Sequence, residues 1–392
     1  MNLMTKTLKD LLTLSTLTLI ITFLVWLPHI LALPNFWGLD FSNGFATIYR
    51  NFDGLEYIVI AKSFYNPVVI ASLPLSLPAN YFASHFPGYA IAITGFAPIL
   101  GYLKSMLFVS LLSTILSVWV FYLLIRDFKL SAHPLFLSVL FLVLPARGLI
   151  VHSVGSSEPI FMLFILLTIY FFMKFEQTKQ MLAIYLAGVF GLATQITRPP
   201  GILLFIALAL YVHWRFYLQS KALSFQKAWF DHLKYFPLIL MPVGLLSIFY
   251  LYGQTLGDFW AYFHSGDNIH LTFPPFQVFN KHQLWVGEAW LEDLIYIFAL
   301  GFLGGVLLLK QKLYPLAFVV LTYLVASTFI AHRDISRYIL PITPFLLISY
   351  DKVLTSKEFK IILPIILLAI YLYSQNFILQ NVAPVPNLQP FN

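Results

Sequence analysis

Two stretches, LLTLSTLTLIITFLVWLPHILAL (11–33) and MLFVSLLSTILSVWVFYLLI (106–125), contain no Asp, Glu, Lys or Arg. A helix needs ~20 apolar residues to cross a ~30 Å hydrocarbon layer, and these stretches have that length. Lipid offers a peptide group no hydrogen-bond partner, so such segments pair their own backbone as helices. The chain as a whole agrees: 60% of its 392 residues are hydrophobic, 10% are charged, and 39 are Phe. An all-α polytopic membrane protein follows. Lys6 and Lys9 before the first run resemble a signal-peptide n-region, but the run is long and LALPN is a poor cleavage site, so it reads as an uncleaved first span.

Further runs at roughly 134–150, 158–174, 181–196, 200–214, 236–253, 291–309, 313–331, 337–350 and 361–380 bring the expected number of spans to about eleven. The ambiguous segment is HFPGYAIAITGFAPILGYLK (85–104), interrupted by Pro87, Gly88, Gly95, Pro98 and Gly101. If it does not cross, one side carries 15 of the 23 Lys and Arg, and the other holds Arg50, Lys62, Lys104, Arg147, Arg198, Lys281, Arg333 and Arg337. The positive-inside rule then puts the N-terminus inside, the C-terminus outside, and 85–104 in an interfacial or re-entrant hairpin. One integral membrane domain, 1–392, is expected, with long outside loops at 34–104 and 254–290. The segment 215–234 alternates basic and aromatic residues, as in a surface helix or a solvated basic connector. The Pro-rich tail NVAPVPNLQPFN reads as a short irregular end.

Composition also removes functions. With no cysteine there is no disulfide, thiolate metal site or thiol nucleophile. The net charge of +7 is scattered through short loops and forms no nucleic-acid-binding patch. No Walker A, GxGxxG, GxSxG or HExxH pattern is present. His264, Asp267 and His270 match no recognised metal spacing; no cofactor is expected, and metal dependence is left open by the sequence.

Ionisable residues near a membrane edge are functional candidates by default. Asp53 and Glu56 in NFDGLEYIVIAKSFYNP have the spacing of a capping box, while a carboxylate at a loop-to-helix junction can also take a proton from a hydroxyl. His85 precedes a Pro-Gly turn that aims its imidazole, and Glu158 opens the fourth span. Arg198 in TRPPG either binds an anion or bridges to Glu158 or Asp53. In HRDISRY, Asp334 pairs with one arginine, leaving the other, preferably Arg337 over Arg333, for a ligand anion; Tyr338 adjoins it.

The ordered segments FDGLEY (52–57), HFPGY (85–89), LPARGLIVHSVGSSEP (144–159), TRPPG (197–201) and SRYILPITP (336–344) resemble the PIG-V-like mannosyltransferases. That family lies within the GT-C superfamily of polytopic glycosyltransferases. Phe52 stands where the family more often has Trp, and Gly88 where it tends to have Leu. The resemblance implies a GT-C-like fold and transfer of a sugar, mannose by family, from a polyprenyl phosphate to a hydroxyl of a glycan, glycolipid or protein. By the same resemblance Asp53 is the catalytic base; the reading of the residues themselves adds Glu56, His85, Glu158, Arg198, Arg333, Arg337 and Tyr338 as expected substrate-binding groups, and the charge count puts them on the extracytoplasmic face. Transfer of another sugar stays open, as does a transporter or lipid flippase, although no inverted repeat is visible.

Overall fold

The computed structural model describes residues 3–222, 224–266, 271–280, 290–332 and 334–392. Helices dominate; the extended pairings among the described residues are isolated bridges, such as Asn51 with Val382. Among the described residues, seven helices are long and apolar enough to cross a membrane: Met4–Ile30, Tyr102–Asp127, Glu158–Thr178, Gly201–Ala222, Phe236–Thr255, Leu291–Lys310 and Lys357–Gln380. Met181–Thr197, Tyr314–Ser327 and Ile335–Ser349 are shorter apolar helices at expected span positions.

Two expected spans are broken. The segment read as 134–150 is a pair, Pro134–Val143 and Ala146–Ser153, bent by 75°. Pro145 lies at that break, where it removes an N–H and disfavours helical backbone at the preceding residue. The segment read as 337–350 is split into Ile335–Tyr338, a 3-10 turn at Leu340–Ile342, and Thr343–Ser349, with Pro341 and Pro344 near the starts of the later pieces. The hairpin segment holds a 13-residue helix, Gly88–Leu100. At 1.5 Å per residue its length is about 20 Å, too short to cross.

The chain divides into two compact units. The first comprises Met1–Leu163, Phe249–Ser265 and Asp351–Asn392. Here the Leu3–Ile30 and Tyr102–Asp127 helices are tied by Trp119 Nε1 donating to the Leu11 carbonyl at 3.0 Å and Tyr122 donating to Asp10 at 2.6 Å. Buried serines on Tyr102–Asp127 allow close approach: Ser117 donates to the Pro159 carbonyl at 3.1 Å. The Lys357–Gln380 helix joins through Gln375, which bonds His29 at 3.1 Å and the Val25 carbonyl at 2.9 Å.

The tail of this unit is irregular, as expected, yet it is docked. Asn51 donates to the Ile378 carbonyl at 2.6 Å, Arg50 to Pro386 at 2.9 Å, and Lys62 to Pro390 at 2.8 Å. Phe391 is fully buried.

The second unit comprises Phe164–Ile248 and Gly266–Tyr350. Glycines set its helix contacts: a Cβ at Gly188 would lie 2.3 Å from the Pro237 carbonyl oxygen, and one at Gly304 would lie 2.4 Å from Leu346. The basic-aromatic segment 215–234 is the end of Gly201–Ala222 followed by a short helix, Phe225–Leu233, with Phe225, Trp229 and Phe230 exposed. Glu176 ties this region together. Arg215 and Tyr235 donate to it in short contacts, and Tyr211 donates at 3.1 Å.

Glu176→Ala leaves the Arg215 charge without its carboxylate, and hydrogen bonds to charged groups contribute ~1.5–3 kcal/mol each. Thermal unfolding in detergent is therefore expected to show a loss of about 2 kcal/mol or more, with Glu176→Gln losing less.

Candidate functional site

The geometry of the first outside-loop candidates begins with a strained turn. Phe52 has a left-handed backbone, φ 49°, which is costly for a residue with a Cβ and persists only when the surroundings hold it. They do so here: buried Asn51 is anchored to Ile378, the Arg50 carbonyl accepts from Ala383 N at 2.8 Å, and the Phe52 ring stacks on Phe377 at 5.5 Å. The helix Gly54–Ser63 starts at once, with Asp53 in the N-cap position.

The capping-box expectation fails at this point. Asp53 occupies the position, but its side chain makes no capping hydrogen bond. Glu56 turns to His85, with Glu56 Oε2 3.4 Å from His85 Nε2, and Asp53 Oδ2 lies 3.9 Å from the same nitrogen. A tertiary partner 29 positions along the chain thus takes the carboxylates that local spacing assigned to the helix end.

His85 follows the 3-10 helix Ala79–Ser84 in extended backbone, φ −108° and ψ 105°. Its carbonyl accepts from the Tyr65 hydroxyl at 2.6 Å, and its Nδ1 is 2.8 Å from the Ser84 hydroxyl. The Tyr57 ring meets the imidazole edge-on at 5.4 Å, and the Tyr81 ring lies at 5.5 Å. With Nδ1 engaged, Nε2 faces the two carboxylates. One ligand atom from each of Asp53, Glu56 and His85 lies within 4.8 Å of the others, and all three side chains are partly buried.

A glycine contact brings a second polar cluster beside this helix. A Cβ at Gly54 would lie 2.7 Å from Met106 Sδ and 3.0 Å from the Gly155 carbonyl oxygen. The loop at Gly155 leads to Ser156 and Glu158, which is 3% exposed and accepts from the Ser156 hydroxyl. Ser156 N donates to Ser110 Oγ at 3.2 Å, and Tyr89 of HFPGY bonds Ser110 at 2.7 Å and the Met106 carbonyl at 2.7 Å. The motif glycines and Tyr89 therefore serve packing that fixes Asp53. Sequence reasoning passed over Ser84 and Met106; neither carries a spacing signal, and only the fold assigns their roles.

Arg198, Arg337 and Tyr338 belong to the second unit. Arg198 caps Met181–Thr197 in extended backbone and is half-buried, while Gly201 approaches so closely that a Cβ would lie 2.7 Å from Gln195 Cα. Tyr323 donates to the Pro200 carbonyl at 2.9 Å and fixes this turn. Arg337 is 7% exposed on Ile335–Tyr338, whose N-cap is Asp334, and the Tyr338 ring lies 5.8 Å from His332. Arg333 lies outside the described residues, as do Asp267 and His270. Their companion His264 bonds Asp258 at 2.6 Å, and this bond holds the exposed Asp258 carboxyl below its usual range.

No family model matches the chain, and no curated protein matches it. Among solved structures, the chain is similar to the crystal structure of ArnT from Cupriavidus metallidurans in the apo state, at 15% identity and a TM-score of 0.53. The match covers 86% of this chain and 59% of that chain, so this chain spans less than two thirds of its length. The likeness shows the fold: an all-α, ArnT-like architecture.

The glycine contacts can be tested by stability. A Cβ at Gly155 would lie 2.4 Å from Met106 Sδ and 2.8 Å from Met106 Cγ. Overpacking of this kind costs ~1–3 kcal/mol, so Gly155→Ala is expected to lower the unfolding temperature. Adding Met106→Ala is expected to recover part of the loss, a coupling that thermal unfolding of both single variants and the double variant measures.

Proposed function

We propose that this protein is an integral membrane glycosyltransferase, a mannosyltransferase of the PIG-V-like type, that moves a sugar from a polyprenyl phosphate to an acceptor hydroxyl. The observation that carries the reading is the Asp53 carboxylate, released from helix capping and gathered with Glu56 and His85 at a helix start. The GT-C-like fold supports it as context. ArnT is here a likeness of fold, and the donor class comes from the sequence resemblance.

The chemistry follows from the donor. A polyprenyl chain stays in the bilayer, so its transferase must sit there too. The acceptor oxygen attacks the anomeric carbon as the bond from that carbon to the phosphate oxygen breaks. The phosphate leaves with the bonding pair, the acceptor proton passes to Asp53, and a single displacement inverts the anomeric centre. The leaving group is already anionic and needs cations aimed at its developing charge rather than a general acid. Arg198, Arg333 and Arg337 are the candidates for that role, and the extracytoplasmic face is the side that the charge distribution favours. A transporter or flippase, the rival class, requires no base at Asp53.

Purified protein supplied with polyprenyl-phosphate mannose and a panel of hydroxyl acceptors tests the reading. General base catalysis contributes ~10²–10⁴-fold, so Asp53→Asn is expected to lose at least ~100-fold in kcat while unfolding at the same temperature as wild type. Full activity in that variant removes Asp53 as base. No transfer from any lipid-linked sugar, together with flux of lipid or solute in liposomes, overturns the enzyme in favour of the rival.

A further inference from the structure

We propose that Asp53, Glu56 and His85 form a binding site for one divalent cation. A cation at ~2.0–2.2 Å from each ligand sets ligand atoms roughly 3–4.4 Å apart. The separations from His85 Nε2, 3.4 Å to Glu56 Oε2 and 3.9 Å to Asp53 Oδ2, fall in that range.

Two further observations point the same way. The Ser84 hydroxyl engages His85 Nδ1, the outer contact that fixes ring orientation in metal-ligating histidines, and leaves Nε2 toward the carboxylates. Asp53 and Glu56 approach the same imidazole nitrogen at side-chain exposures of 28% and 17%, where charge interactions are screened less than at an open surface.

Two carboxylates and one imidazole suit a hard or borderline ion of the Mn²⁺, Mg²⁺ or Zn²⁺ class. Three protein ligands leave coordination positions for other oxygens. On the glycosyltransfer reading, on which this role rests, a donor phosphate oxygen takes one of them. Asp53 would then both hold the cation and take the acceptor proton.

Mn²⁺ is the probe. Chelator-stripped full-length protein in nanodiscs is titrated with Mn²⁺, and the free-ion EPR signal is followed. One site per chain is expected, with Glu56→Gln and His85→Gln each weakening binding at least tenfold and Asp258→Asn leaving it unchanged. Mn²⁺ is also expected to raise the unfolding temperature of wild type but not of the two site variants, which separates loss of the site from misfolding. Absence of bound Mn²⁺, or equal binding in wild type and both variants, overturns the site and leaves His85 bridging the carboxylates through a proton. Mn²⁺ binding without transfer from any lipid-linked sugar upholds the site while removing the glycosyltransferase reading. Full transfer by stripped protein that binds no Mn²⁺ does the reverse.

Discussion

A peptide group in hydrocarbon has no water to bond, so a chain this apolar keeps its backbone in helices and interrupts them only where another group satisfies the break. Every segment argued here to carry chemistry lies at such an interruption. Asp53 follows the left-handed Phe52, Glu158 follows the loop beyond Ser153, Arg198 sits between Met181–Thr197 and Gly201–Ala222, and Arg337 precedes the 3-10 turn at Leu340. The groups that satisfy these breaks are specific: Asn51 on Ile378, Ser110 on Ser156, and Tyr323 on Pro200. Positions where the backbone must leave the helix are also where a polar side chain can be presented, so architecture and candidate chemistry share residues.

The long helices were legible because apolar run length is a direct consequence of bilayer thickness. Their interruptions were legible only in part. Pro145 and Pro341 mark the breaks in 134–150 and 337–350, yet apolar residues on both sides made each read as one span. Asp53 and Glu56 show the same limit at the site. Their spacing is that of a capping box, and in isolation the helix end would take them; the fold supplies His85 as a competing partner. Residue types were therefore readable, while pairings depended on contacts between distant segments.

The docking of the tail was hidden in the sequence for a related reason. Proline lacks an N–H, so a segment such as APVPNLQPF cannot build its own hydrogen-bonded structure. Its carbonyls remain strong acceptors, and an apolar protein with few acidic residues has cations in need of them. Arg50 and Lys62 meet that need at Pro386 and Pro390. Irregular local structure is thus compatible with tight docking once the partner is a donor-bearing helix.

This use of the tail bears on the charge balance of the first unit. Arg50 and Lys62 are spent on neutral carbonyls, and the Arg147 guanidinium lies 3.9 Å from the Phe377 ring centre. These cations bind the 34–104 segment and its neighbours into place, and Phe377 in turn carries the Phe52 ring beside Asp53. Asp53 and Glu56 both approach one histidine, His85. A carboxylate pair set beside a histidine at a helix start is a geometry that a general base and a cation ligand set can both use. The base of the proposed transfer and the ligand pair of the proposed cation site are two uses of that one arrangement.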